Sequence, residues 1–144
     1  MAVKVKSVTL WRCDTENRPG TLAATLEPLA RAGADLKVLM GYGYPGELGR
    51  AAIELYPVSG KKATAAAQVA GLSASSIPTL LVEGDNRPGL AHAIARAIAE
   101  AGINIHFLIA QSIGKKYSAI FGFGTETDAK IAAGLIRKAK PAKK

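Results

Sequence analysis

Two short apolar runs, VTLWRC at 8–13 and TLLVEG at 79–84, have the length and hydrophobicity of strands set against a core. Pro78 precedes the second run, a position that a strand tolerates at its start or on an edge. After each run the apolar positions change to a helical period for about 13 residues, ending at Gly33 or Gly102, where a left-handed backbone costs little. Pro19 and Pro88 suit the first helical position, because the missing N–H has no intrahelical partner there. Pro28 falls inside the first of these helices and predicts a kink or an early end. Alternation returns in ADLKVLMGYGY and INIHFLIAQSI, followed after short loops by RAAIELYPV and YSAIFGFG, which predicts a hairpin in each half. Ser59 and Thr125 then read as N-caps of an alanine-rich helix, KKATAAAQVAGL, and of ETDAKIAAGLIRKA.

The order strand, helix, strand, strand, helix thus occurs twice, and the sequence itself repeats. ENRPG at 16–20 and DNRPG at 85–89 superpose on a shift of 69 positions, which also lays Gly33 on Gly102, Leu36 on Ile105 and Leu39 on Leu108. Upstream, Asp14 falls on Glu83. The match extends well beyond one motif and marks a duplication. The predicted fold class is α+β: two tandem ferredoxin-like βαββα(β) repeats, each an antiparallel sheet with helices on one face. The expected domains are residues 1–72, residues 73–137 and a basic tail at 138–144. A full sandwich of this type needs one more strand per repeat. Between Leu72 and the second motif there are about a dozen residues, room for one strand at ~3.3 Å per residue but not two. The reading adopted is a bridging strand at 75–83 that joins the two sheets; two separate four-stranded sheets would contradict it.

Composition narrows the class. The chain has 144 residues, 49% of them hydrophobic, enough for a sizeable core. No apolar stretch reaches the ~20 residues of a membrane span, and MAVKVKSVTL lacks the apolar run of a signal peptide, so the expected location is the cytoplasm. Cys13 is the single cysteine, which excludes an internal disulfide and a thiolate metal cluster. The formal charge of +8 is unevenly spread: the closing RKAKPAKK carries Arg137, Lys138, Lys140, Lys143 and Lys144 and no acid. The tail reads as a solvated terminus; its sharper reading is a salt-sensitive contact with an anionic partner.

The candidate chemistry lies at the repeated motif. A helix N-terminus offers unsatisfied N–H groups and a partial positive charge, which together hold a carboxylate or phosphate. Asn17 and Asn86, in the preceding loops, can both donate and accept, which suits a ligand carrying ammonium and carboxylate groups. Asp35 and Asn104 open the following strands, and Asn104 would reach such a ligand from a neighbouring repeat. Glycines in GYGYPG at 41–46 match a dinucleotide pattern, but strand-like sequence follows where a helix is required, so they are assigned to a hairpin and no cofactor is expected. His92 falls in a helix and His106 in a strand, without a nucleophile at recognisable spacing, so no catalytic or metal site is assigned. RNA-recognition modules share the β-α-β-β-α-β order and this chain is basic, which makes nucleic-acid binding the rival reading. Only Tyr117, Phe121 and Phe123, alternating on one strand face, would serve it.

Acid-Asn-Arg-Pro-Gly, an amphipathic helix, then EAGINI and a hairpin resemble the ACT domain, in particular the form at the regulatory end of phosphoglycerate dehydrogenase. The resemblance covers nearly the whole chain as two copies and is stronger in the second. It implies a non-catalytic regulatory module that pairs side by side with another copy, as in a homodimer, and binds a small molecule, commonly an amino acid, between copies. Position by position, Asn86 matches the loop asparagine and Asn104 the strand asparagine that hold the ligand in serine-binding members, and Asn17 matches the first of these. Asp35 replaces the strand asparagine in the first repeat, and Thr15 and Gly84 stand where serine-binding relatives often have histidine. The expected site is Asn86, Arg87, Pro88, Gly89 and Leu90 with Asn104; the first repeat offers Asn17, Pro19, Gly20 and Thr21 with Asp35. A purely structural assembly role is the further alternative.

Overall fold

The computed structural model describes residues 3–141. Its elements run β1 (Lys4–Val8), β2 (Trp11–Glu16), α1 (Thr21–Arg31), β3 (Val38–Tyr44), β4 (Glu47–Tyr56), α2 (Gly60–Val69), β5 (Ser73–Ala74), β6 (Thr79–Asp85), α3 (Leu90–Glu100), β7 (Ile105–Ile113), β8 (Lys116–Phe123) and α4 (Glu126–Lys138). The strands form two separate antiparallel sheets of four, β3-β4-β2-β5 and β1-β6-β8-β7. Two ferredoxin-like repeats in an α+β fold are therefore present.

The bridging strand expected at 75–83 does not form. Ser73–Ala74 pairs with Trp11 and Arg12 as the fourth strand of one sheet, and Thr79–Asp85 lies wholly in the other. The fourth strand of the second sheet comes instead from the N-terminal segment, with Lys4 opposite Glu83 and Val8 opposite Thr79. VTLWRC is accordingly two strands, Val8 ending one and Trp11 beginning the next. The compact units follow this pairing: Thr9–Ser76 is one, and Ile77 onward together with the stretch through Val8 is the other. The N-terminal strand, expected within a first domain of residues 1–72, thus belongs to the second unit.

In the Thr9–Ser76 unit, Cys13, Ile53 and Leu55 from the sheet meet Leu29 of α1 and Ala67 of α2. In the second unit, Leu80 and Val82, Ala119, Phe121 and Phe123 project at period two from one face of the sheet. They bury Leu90, Ile94 and Ile98 of α3 and Ala132 and Ile136 of α4. Burying a Leu- or Phe-sized side chain contributes about 1.5–3 kcal/mol, so this cluster carries much of the unit's stability.

Helix ends follow the glycines. Gly33 and Gly102 adopt positive φ, and the bonds Ala34 N–H to Leu29 O and Ile103 N–H to Ile98 O close a Schellman motif on α1 and α3. Thr125 caps α4 by accepting the Asp128 N–H at 3.0 Å, whereas Ser59 occupies the N-cap of α2 without a side-chain bond. Helix α1 continues through Pro28 to Arg31, so the early end does not occur. The motif prolines sit differently from expectation. The helices begin at Thr21 and Leu90, two residues after them, and the N–H groups of those residues bond to Arg18 and Arg87 carbonyls. Gly20 (φ 91°) and Gly89 (φ 85°) are left-handed. Arg-Pro-Gly-X is thus a type II turn, with Pro at its second and Gly at its third position.

Candidate functional site

The motif loop is fastened to its own hairpin in both units. Asn17 N–H donates to Gly49 O at 3.0 Å, and Asn86 N–H donates to Lys115 O at 2.8 Å. Gly20 and Gly89 then form N-caps without a side-chain acceptor, leaving the first-turn amides of α1 and α3 without a side-chain cap. Beyond this shared frame the two copies diverge.

In the second unit Asn86, Arg87, Pro88 and Gly89 are exposed, while Leu90 turns into the core at 5% exposure and offers no side chain to a ligand. Asn104 is exposed at the far end of α3. The side-chain amides of Asn86 and Asn104 make no hydrogen bond among the described residues. Eleven helical residues lie between them, about 16 Å at ~1.5 Å per residue, so one unit does not bring the two together. Asp85, ending β6, is bound by Lys116 at 2.8 Å, and that hydrogen bond and charge hold its carboxyl below the usual carboxylate range. Gly84 has a steric reason: a Cβ there would lie 2.9 Å from the Val3 Cα, so the N-terminal segment fills the space a histidine would need. Pro141, beyond α4, lies 3.6 Å from where Gly89 would carry a Cβ. Of the basic tail, Lys138 belongs to α4, and residues 142–144 lie outside the described residues.

In the first unit Asn17 is spent on structure. Its Nδ2 lies 2.9 Å from the position a Cβ would take on Gly43, packing the amide over β3. Pro19, Gly20 and Thr21, with Arg18 and Thr15, line a cavity of about 540 Å³. Asp35 lies elsewhere, ion-paired to Lys37 at 2.6 Å beside a cavity of about 430 Å³ that also takes in Ser59 and Lys61. The residues expected to form one site are therefore divided.

The sequence reading missed a polar cluster on the sheet face opposite the helices of this unit. Tyr42 donates to Glu54 Oε2 at 2.9 Å, Arg12 binds Asp14 at 3.1 Å, and Tyr44 bonds to both Arg12 and Asp14. Glu54 is 3% exposed, and its Oε1 has no hydrogen-bond partner among the described residues. The hydrogen bonds from Tyr44 and Arg12 lower the Asp14 pKa, while burial and the bond to Glu54 raise that of Tyr42. Period-two spacing of Arg12 with Asp14 and of Tyr42 with Tyr44 was visible, but their meeting depends on strand register.

Other candidates resolve plainly. Gly41 and Gly43 lie in β3, and Gly46 at φ 79° turns the hairpin. His92 and His106 are exposed on α3 and β7. Tyr117, Phe121 and Phe123 are buried under the helices at 5%, 1% and 1% exposure, so the face that would stack bases is closed. Among the described residues no helix is long and apolar enough to cross a membrane.

Residues 78–140 match the ACT domain family. No curated protein sequence matches the chain. Among solved structures, a protein of Bacteroides thetaiotaomicron superposes with a TM-score of 0.73 at 14% identity, over 90% of this chain and 88% of that one. The ligand-free regulatory subunit of aspartate kinase from Thermus thermophilus gives 0.63 at 18% identity, over 96% and 97%. The aspartate kinase of Clostridium acetobutylicum gives 0.60 at 14%, over 94% of this chain and 33% of that one. At these identities the likeness is one of fold. Residues 78–140, in the second unit, are thus an ACT domain, and the Thr9–Ser76 unit repeats its ferredoxin-like sheet in the same strand order.

Proposed function

We propose that this protein is a regulatory binder of a small amphoteric molecule, an amino acid foremost. In this reading the ligand sits at the start of α3 and is completed by a second copy of the chain. The observation that carries it is the placement of Asn86 and Asn104: both exposed, neither side-chain amide hydrogen-bonded among the described residues, and separated by the length of α3. A ligand needing both is served by Asn86 of one copy and Asn104 of another. The edge strand β7, which begins beside Asn104, supports such pairing. Its nine residues include no Lys, Arg, Asp, Glu or Pro to discourage a partner strand, and Leu108, Ile109 and Ile113 are exposed along it. The regulatory role named for the Thermus thermophilus subunit agrees with this reading. Burial of Tyr117, Phe121 and Phe123 removes the feature that favoured nucleic acid.

A thermal-shift screen of the full chain against the twenty amino acids tests the proposal. A ligand at a hundredfold its Kd stabilises the protein by about 2.7 kcal/mol. Asn86→Ala and Asn104→Ala should each lose the shift, and an equimolar mixture of the two variants should regain part of it, because a mixed pair holds one intact site. No shift with any amino acid from a folded sample would favour a purely structural assembly role. Normal binding by both variants would place the site elsewhere.

A further inference from the structure

The net charge of the second unit is gathered at one end of it. Strand β1 starts there, with Lys4 opposite Glu83 and the Val3 main chain against Gly84. Strand β6 ends and β8 begins there, joined by Asp85 and Lys116 at 2.8 Å, and the bond from Asn86 N–H to Lys115 O adds the β7–β8 turn. Helix α4 finishes there as well, where Arg137 donates to Val5 O at 3.3 Å and Pro141 approaches Gly89. This end presents seven exposed cations, Lys4, Arg87, Lys115, Lys116, Arg137, Lys138 and Lys140, against the two acids Glu83 and Asp85, a net +5. Among the described residues, only Lys116 of the seven is ion-paired. The rest of the unit sets Lys6, Arg96 and Lys130 against Glu100, Glu126 and Asp128 and is neutral. One apolar side chain stands among the cations: Ile113, opposite Lys116 at the tip of the β7–β8 hairpin, is 70% exposed.

We propose that this end of the second unit docks on an anionic membrane surface, with the cations against lipid headgroups and Ile113 entering the layer between them. A cluster of four to eight Lys and Arg is the usual footprint for anionic lipid, and a second, apolar signal strengthens it. A nucleic-acid backbone would use the cations alone, whereas Ile113 gains only where hydrocarbon lies beneath the charge. The contact is peripheral, since no described helix is long and apolar enough to cross the bilayer. It is also reversible, because exposed charges are screened by salt. The neutral remainder of the unit gives the attraction a direction, so the molecule approaches with this end foremost.

The proposal goes beyond the small-molecule reading and does not need it, because docking is measured without an amino acid present. The full chain is floated with vesicles of phosphatidylcholine alone or with about 30% phosphatidylserine. It should bind only the anionic vesicles and leave them as salt rises to about 0.5 M. Lys115→Gln with Lys138→Gln should weaken binding roughly thirtyfold, ~1 kcal/mol for each cation. Arg96→Gln with Lys130→Gln removes the same charge from the same unit and should change binding less than about threefold. Ile113→Ser, at an exposed turn, should fold normally and bind roughly fivefold more weakly. No flotation with anionic vesicles, an equal loss from both double variants, an indifferent Ile113→Ser, or a DNA duplex bound as tightly as the vesicles would each overturn the proposal.

Discussion

Gly84 and Gly43 each stand where a side chain is excluded by a neighbour, and the neighbours differ in kind. Beside Gly43 is the end of a side chain, the Asn17 amide; beside Gly84 is the main chain of Val3, which cannot rotate away. Gly84→Ala should therefore push the N-terminal strand off the sheet and cost about 1–3 kcal/mol in denaturant unfolding, the range for overpacking. The aligned Thr15→Ala should stay within about 0.5 kcal/mol of the parent. Unchanged stability in Gly84→Ala would mean that Val3 does not approach as described. The sequence carried Gly84 as a departure from serine-binding relatives, and the structure gives it a cause. Residue-level meaning was legible where it depended on local backbone, as at Gly33 and Gly102. It was hidden where it depended on contact, as for Asn17, which is identical in sequence to Asn86 yet packed over β3.

Elements were the most legible level, because strand and helix periods are local properties that the duplication lets one read twice. Both hairpins, the four helices and the stops at Gly33 and Gly102 follow from pattern alone. The type II turn did not, since Pro before Gly suits either a helix start or a turn, and only the N–H bonds of Thr21 and Leu90 decide between them. Strand β1 was missed because KVKSV has little apolar surface of its own and is defined by pairing with β6. Strand ends also carry the acid sensitivity. Asp85 closes β6 onto Lys116 of β8, and its folded pKa is depressed by that hydrogen bond and charge. A depressed carboxyl adds stability that is present above its unfolded pKa of about 3.9 and is lost as pH falls through the folded value. Asp85→Asn should thus be less stable than the parent at neutral pH, by a modest amount because the pair is exposed, and the gap should close in acid. A gap independent of pH would remove the ion pair from the account.

For the whole chain, the consequential fact is that its two repeats are not its two compact units. The duplication sets the repeats end to end, whereas the pairing of Lys4–Val8 with Thr79–Glu83 makes Thr9–Ser76 an insertion within the second unit. No local pattern could disclose this, since it is a choice of partner made across the length of the first repeat. Removal of the residues through Val8 should leave the Thr9–Ser76 unit folded, reported by Trp11, the only tryptophan. The same deletion should uncover Val82 and Ile136 in the second unit and broaden or collapse its amide resonances. Well-dispersed signals from both units after truncation would show that the fourth strand is dispensable. During synthesis the N-terminal strand emerges first and its partner β6 only after the inserted unit. At ~5–20 residues per second that is a delay of roughly 4–15 seconds. The inserted unit can fold in that interval, while a bare strand waits beside it. Lys4 and Lys6, alternating along that strand, give it the charge that discourages pairing with the wrong edge.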